Sequence, residues 1–396
     1  MLDFDEALKR VLAGVHPLGT ERVTLGEAQG RVLAEALTAG EPIPAFDYSA
    51  MDGYAVASGD FTGDAPWTLP VRGESQTGHP APGFKRPSAC RIFTGAPLPA
   101  GADAVVMQEN VERAGDDARF SAPPSAGQHV RRAGEDLQRG AEALAPGTRL
   151  GPGQLGLAAA LDRGELLVAR RPQVGILCTG DELRPAGSAP RPGSIPESNG
   201  IALSAMVRAA GGTPHLAPLT RDDRQATLRA LEQAITGNDV LLTVGGVSVG
   251  EHDLVRPALE AAGAKLDFWK VAIKPGKPLA HGSVGKTRVL GLPGNPVSAQ
   301  VTFALFGVPL LRALQRDRHP LPRAGHAELT DPLRQKPGRR GYYRAQLDGA
   351  RVIPLHNQAS GAPTSMAWAD ALVIVPADSS GFDAGATVEV LPLWAL

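Results

Sequence analysis

Apolar positions at the start of the chain, Phe4, Leu8, Val11 and Leu12, recur at helical spacing and predict an amphipathic helix. A second helical pattern is expected over 25–37. From about residue 42 the period shortens. Apolar runs at 67–71, 90–93, 104–107 and 119–121, cut by glycine and proline, read as strands of an all-β insert that ends near Arg139. Helical spacing returns over 154–161, and 166–169 reads as a strand.

The middle of the chain alternates. Apolar runs at 174–178, 216–219, 240–244, 268–273 and 289–292 predict strands of the buried type. Helices are expected at 199–210, capped by Ser198 or Asn199, at 222–235, capped by Asp222, at 253–262, opened by Asp253, and at 296–314. Strand alternating with helix implies a three-layer α/β domain with a mostly parallel sheet. Beyond residue 320, runs at 342–347, 352–355, 372–375 and 388–391 predict a small C-terminal β-domain. The expected fold class is α/β plus β, with N-terminal helical and β-insert domains before the central one. The expected segments are 1–45 with 140–172, an insert at 46–139, then 173–320 and 321–396. A chain of 396 residues exceeds what one core holds, which agrees with several domains.

Charge and composition narrow the function. The formal net charge of -1 supplies no phosphate-neutralising face, so a nucleic-acid binder is not expected. The only cysteines, Cys90 and Cys178, lie in apolar stretches; they read as reduced core thiols and are too few for a structural zinc site. The start, MLDFDEALKRVL, has no apolar signal region, and no run is expected to approach membrane-spanning length. A soluble, cytoplasmic protein without a membrane partner is expected.

Two motifs mislead. GPGQLG, 151–156, fits a dinucleotide fingerprint, but no buried strand precedes it and no acid follows about 20 residues on. Pro152 reads instead as a helix-start proline. VGKT, 284–287, resembles the tail of a phosphate loop, but Ala280 stands where the loop's first glycine belongs.

Other motifs converge. LLTVGGVSVGEHD, 241–253, leads a strand into Gly245 and Gly246, then Ser248 and Gly250, and ends on Asp253. Glycines there let backbone N–H groups approach an anion, and Asp253 can cap a helix or hold a metal. CTGDEL, 178–183, leaves a strand into Asp181 and Glu182. KVAIKPGKPLAHG, 270–282, ends a strand with Lys274, Pro275 and Lys277. GLPGNPVSA, 291–299, ends one in Pro293, Gly294, Asn295 and Pro296, before a helix start with Ser298 that suits an anion. In an open parallel sheet, ligands lie beyond the carboxyl ends of the strands. Acids beside lysines on one rim suggest a phosphate with a divalent cation such as magnesium, a pair suited to cleaving a phosphoanhydride. The β-insert adds Asp52 in FDYSAMDGYAV, Thr94 in RIFTGAPLPAGADAVVMQE, and Glu135 with Asp136 in RRAGEDL.

SAMDGYA, FTGAPLPAGADAVV, RRAGEDL, TGDEL, GGVSVGEHD, KPGKP and LPGNPVS occur in this order. With them the chain resembles the molybdopterin molybdenumtransferases, the bacterial MoeA family to which the gephyrin E domain is related, from residue 2 to about 393. The resemblance implies an enzyme that takes adenylylated molybdopterin and molybdate, cleaves the adenylate with Mg2+, inserts molybdenum and releases AMP. It implies a homodimer joined through 1–45 and 140–172, with a site shared between the 173–320 molybdopterin-binding domain of one subunit and the N-terminal domains of the other. A transient contact with the upstream adenylyltransferase is also implied. The motif positions carry over as catalytic Asp52, Thr94, Asp136, Glu182, Asp222, Asp253, Lys270 and Lys274. Glu182 and Asp253 look like the metal-side acids. Gly245, Gly246, Ser248, Gly250, Pro275, Pro293, Asn295, Pro296 and Ser298 look like substrate contacts, with Lys274, Pro275 and Ser298 on the molybdate and phosphate side.

The chain departs from the family pattern in two places. IPESNG carries Glu197 where the family usually has Asp, and QASGAPTS, 358–365, is looser than the usual Gly-Ser-rich string, so Ser360 and Ser365 receive no firm role. Molybdenum and tungsten stay open as the inserted metal. The adenylyltransferase acting one step earlier shares a related α/β domain, but the flanking β segments point away from it. A receptor-binding scaffold is the rival of another class, and the retained acids and lysines favour catalysis.

Overall fold

The computed structural model describes residues 1–246 and 254–393, in two compact units. One comprises 36–145 and 153–164; the other comprises 1–35, 146–152 and 165–396.

The smaller unit is built on a six-stranded sheet in the order Ala104–Met107, Gly53–Val56, Ala89–Ile92, Trp67–Ser75, Asp117–Phe120, Val111–Ala114. The GYAV strand is buried throughout. Tyr54 and Val56 pack into one cluster with Leu69, Val106 and Phe120, while Ala55 packs on the other face with Cys90, Ile92 and Val105. A strand covered on both faces must be apolar at successive positions, which explains the continuous run. Cys90 and Cys178 are both buried and free.

The larger unit carries a sheet in the order Thr213–Leu216, Gln173–Cys178, Val240–Val244, Thr287–Leu292, Pro278–Val284, Lys265–Lys270. The first four strands pair in parallel, and the last two join by antiparallel pairing. Side chains alternate between two clusters. Val174, Ile176, Leu242 and Leu290 meet Leu203 and Val207 of helix Asn199–Ala209 and Val301 of helix Pro296–Thr302. Leu177, Leu241 and Val289 meet Leu231 of helix Arg224–Ile235 and Leu259 of helix Val255–Ala261. Each fully buried aliphatic side chain of this kind contributes about 1.5–3 kcal/mol.

A second sheet in this unit closes on itself. Arg340–Asp348 pairs with Arg351–Pro354, then Gly325–Leu329, Thr387–Pro392 and Ala371–Val375 follow, and the last pairs back with Arg340–Asp348. Ile273–Lys274 adds to its edge. The N-terminal segment is tied to the same region. Leu2 N–H donates to Lys270 O at 3.3 Å, Ala272 N–H donates to Leu2 O at 2.8 Å, and Arg340 pairs with Asp5.

Several expectations need correction. Residues 25–37 hold only a 3-10 turn, Leu25–Glu27, because Val32 and Leu33 bridge to Arg149 and Val168 instead. The strand expected at 216–219 is Thr213–Leu216. Asp223, not Asp222, caps the following helix; its side chain accepts from Ala226 N–H at 2.7 Å. Ser198 makes no side-chain cap for helix Asn199–Ala209; the Glu197 carboxylate accepts from Gly200 N–H at 2.7 Å instead. The expectation that no run reaches membrane-spanning length also fails. Helical residues Pro296–Leu314, with mean hydropathy 1.5, are long and apolar enough by composition, but 83% of that stretch is buried in the protein. An apolar surround makes such a helix hydrophobic on every side. The opening of a helix by Asp253 lies outside the described residues.

Candidate functional site

Three parallel strands of the larger unit end level with one another. Cys178 stands opposite Val244, and Val244 opposite Leu292. Each chain then leaves the sheet at once, into Thr179, Gly245 and Pro293. Their loops form a rim above the sheet, with a cleft of about 690 Å³. Glu182, Gly245, Gly246, Pro293, Asn295, Pro296 and Ser298 line it, together with Ser198, Asn199 and Gly361. That volume is typical of small-molecule sites.

Sequence dictates this local shape. Gly246 has φ 61, and a Cβ there would lie 2.4 Å from Val255 Cγ2, so a side chain is excluded twice over. Pro296 opens the helix behind the turn, where its missing N–H costs nothing, and Ser298 on the next positions is 4% exposed. The turn is fixed from both sides. Asn199 Nδ2 donates to Gly294 O at 2.8 Å, Asn295 Nδ2 donates to Ser360 Oγ at 3.1 Å, and Val297 N–H donates to Ser360 O at 3.1 Å.

Other expected residues lie beside the cleft lining or away from it. Asp222 and Asp181 exchange backbone-to-carboxylate hydrogen bonds, at 3.3 and 3.4 Å, which fixes the TGDEL loop. Lys270 and Lys274 do not line the cleft, and neither does Pro275. The exposed Lys274 places Nζ 5.4 Å from the centre of the Tyr343 ring. Ser248, Gly250 and Asp253 lie outside the described residues.

In the smaller unit the structure joins Asp52 to Thr94. Thr94 N–H and Thr94 Oγ both donate to Asp52 Oδ1 at 2.7 Å. Those bonds, the backbone one first, hold the exposed Asp52 carboxyl below the usual carboxylate range. Asp136 is exposed, and its N–H donates to Ile43 O at 3.0 Å. Asp47, absent from the sequence reading, accepts Arg132 Nη1 at 2.6 Å and Ala133 N–H at 2.8 Å.

Arg344 was also missed. It is 1% exposed, yet no carboxylate pairs with it among the described residues. Its Nε donates to Ser365 Oγ at 3.2 Å and its Nη2 to the carbonyls of Asn357 and Ala359. Burial pushes its pKa down to about 10. The sequence signal was available: in RGYYRAQL, Arg344 shares a strand face with the buried Tyr342. Ser365 is buried and donates to Ala362 O at 2.7 Å, so it serves the fold of this segment.

Among the described residues no three acids, histidines or cysteines gather as a metal cluster. Among the described residues, Glu182 alone brings a carboxylate to the cleft lining. That donor fits magnesium, which is commonly held by one or two carboxylates together with substrate oxygens and water.

Comparison with known proteins agrees over the whole chain. Residues 2–161 match the family model for the MoeA N-terminal region (domain I and II), 175–313 the probable molybdopterin binding domain, and 326–393 the MoeA C-terminal region (domain IV). The chain is similar to the molybdopterin molybdenumtransferase of Haemophilus influenzae, 36% identical over 401 residues, covering 99% of this chain and 98% of that protein. It is 37% identical to that of Synechococcus elongatus over 406 residues, covering 99% and 100%. The solved structure of the molybdopterin biosynthesis moeA protein from Pyrococcus horikoshii OT3 is similar, with TM-score 0.87, 31% identity and coverage of 99% and 100%.

Proposed function

We infer, because this chain belongs to the MoeA family of molybdopterin molybdenumtransferases, that the rim cleft receives adenylylated molybdopterin and that the adenylate is exchanged there for molybdenum. The chain is a transferase of molybdenum cofactor biosynthesis. The observation that carries the site assignment is the level ending of three strands at Cys178, Val244 and Leu292, with glycines and Ser298 facing one cleft.

In this reading Gly245 and Gly246 let the substrate phosphate approach the backbone, and Ser298 supplies a hydroxyl at the helix start. Lys274 and Pro275 serve the molybdate side, where a lysine acts as a point charge on an oxyanion. Water adds at phosphorus as the bridging P–O bond of the anhydride breaks, so AMP leaves and the pterin keeps its own phosphate. Molybdate's molybdenum bonds the two dithiolene sulfurs while one of its oxygens departs as water with the two thiol protons, without change of oxidation state. Magnesium, held by Glu182 and Asp253, would neutralise charge on the departing phosphate. Asp222 positions Glu182's loop through Asp181. Asp52, Thr94 and Asp136 act from the partner copy of a homodimer, and Lys270 supports the strand end beside Lys274. The three-layer, mostly parallel description of the central domain, its four-segment division, contact with the adenylyltransferase and a cytoplasmic place complete the reading.

The test is molybdate-dependent AMP release from adenylylated molybdopterin. Glu182→Gln removes the cleft carboxylate's charge and should lower the rate about 10²–10³-fold. An unchanged rate at saturating magnesium would remove Glu182 from the site.

A further inference from the structure

At the opposite, amino-terminal edge of the same sheet lies a second cavity, of about 570 Å³. It is lined by His16, Asp239, Ser283, Lys286 and Arg288, with the glycine-rich stretch 14–19. Asp239 immediately precedes strand Val240–Val244, whose other end opens on the rim cleft. Five residues of strand separate the two levels by about 17 Å.

The cavity carries excess positive charge. Among the described residues Asp239 is its one carboxylate, and both oxygens are engaged: Oδ1 accepts Arg170 Nη2 at 2.9 Å and Oδ2 accepts Gln173 N–H at 2.8 Å. Arg170 already balances that charge. Arg288 and Lys286 remain, with no carboxylate partner among the described residues. Arg288 donates Nη2 to the carbonyls of Val11 and Ala13, capping the end of helix Phe4–Leu12, while its buried Nε has no partner. Burial holds its pKa below the ordinary value. A buried donor without a partner is costly, and a charged one more so.

The VGKT motif finds its place here. Val284 pairs with Thr287 across a two-residue hairpin turn, with positive φ at Gly285 and none at Lys286, as in a type II′ turn. The motif is a hairpin tip, and it holds the exposed Lys286 over the cavity beside Ser283.

We propose that this cavity is a second binding site, for a small phosphate-bearing metabolite held by Lys286, Arg288 and Ser283. Its place at the other edge of the sheet makes it independent of the rim cleft and of the transferase reading. Calorimetric titration of the full chain with inorganic pyrophosphate tests it. We expect saturable binding whose Kd rises about tenfold or more in Lys286→Ala and further in Lys286→Glu, a loss typical of one charge-assisted contact. The tip is exposed, so both variants should melt at the wild-type temperature without ligand. Ser298→Ala, at the rim cleft, should keep this binding, which separates it from any pyrophosphate held at the rim. No saturable heat, or wild-type isotherms in both Lys286 variants, overturns the proposal.

Discussion

Thr94 gives two hydrogen bonds to one oxygen of Asp52, from its backbone N–H and from its hydroxyl, each at 2.7 Å. The other carboxylate oxygen makes no hydrogen bond among the described residues. Asp52 is therefore held ionised with one face open. Thr94→Val keeps the backbone bond and loses the hydroxyl. The Asp52 pKa should rise toward its ordinary value, and the acid limb of the rate profile should move up in pH with it. Misplacement of the carboxylate should cost roughly ten- to a hundredfold in AMP release. Carboxyl titration by NMR and the rate profile check this together; a pKa that stays put contradicts it.

Gly246→Ala should cost about 1–3 kcal/mol, because the new methyl collides with Val255 and the backbone lies at positive φ. Gly40→Ala is the control, since nothing lies within 4 Å of a Cβ there. It should change stability by less than about 0.5 kcal/mol. Denaturant unfolding of the two variants decides it, and equal midpoints would show that the rim tolerates a side chain.

His281 makes stability depend on pH. The ring is 4% exposed, neither nitrogen has a hydrogen-bond partner, and Nδ1 lies 3.7 Å from Asp267 Oδ2. Burial, and then the nearby Arg288, push its pKa from 6.5 down to about 4, against the pull of Asp267, which Arg10 also engages. Between those values the unfolded chain binds a proton that the folded chain refuses. This contribution should therefore fall as pH drops from about 6.5, and level off below about 4. Melting curves of wild type and His281→Phe across that window should converge or cross as the acid is approached. Parallel curves would exclude the histidine as the cause.

Asp52→Ala and Asp253→Ala should each be inactive alone and should complement each other if the site is shared between two copies. Refolding the two together makes about half the dimers mixed, each with one intact pair of acids. Activity should return to about a quarter of the wild-type level by this symmetry count. Confirmed mixed dimers without recovery would sink the shared-site proposal.

Strands such as Val240–Val244 were legible because burial on both faces demands unbroken apolar residues. Pro278–Val284 was not: PLAHGSV looks like a loop, and it becomes a strand because its neighbours on both sides pair with it. Residues 25–37 show the reverse error. Their apolar spacing suits a helix, yet Arg31 is buried by a bond to Ala169 O and its neighbours pair with distant strands. Long-range pairing overrode local period. The adjacent acids Asp222 and Asp223 could not be told apart by spacing, although one caps a helix and the other ties a loop. At the rim, glycines and prolines announced the turns because they restrict the backbone directly. The burial of Arg344 could have been read from its strand face, but not its partners, which a separate segment, 357–365, supplies.

The stitching of Leu2 to Lys270 and Ala272, and of Asp5 to Arg340, has a consequence for synthesis on the ribosome. Leu2 and Asp5 leave the exit tunnel long before the residues they bond to. At about 5–20 residues per second, Leu2 waits roughly a quarter of a minute to a minute before residue 272 is even made. Throughout that time the apolar face of helix Phe4–Leu12, with Phe4 and Leu8, lacks the core it packs against, so the growing chain is open to misassociation or chaperone capture at this helix.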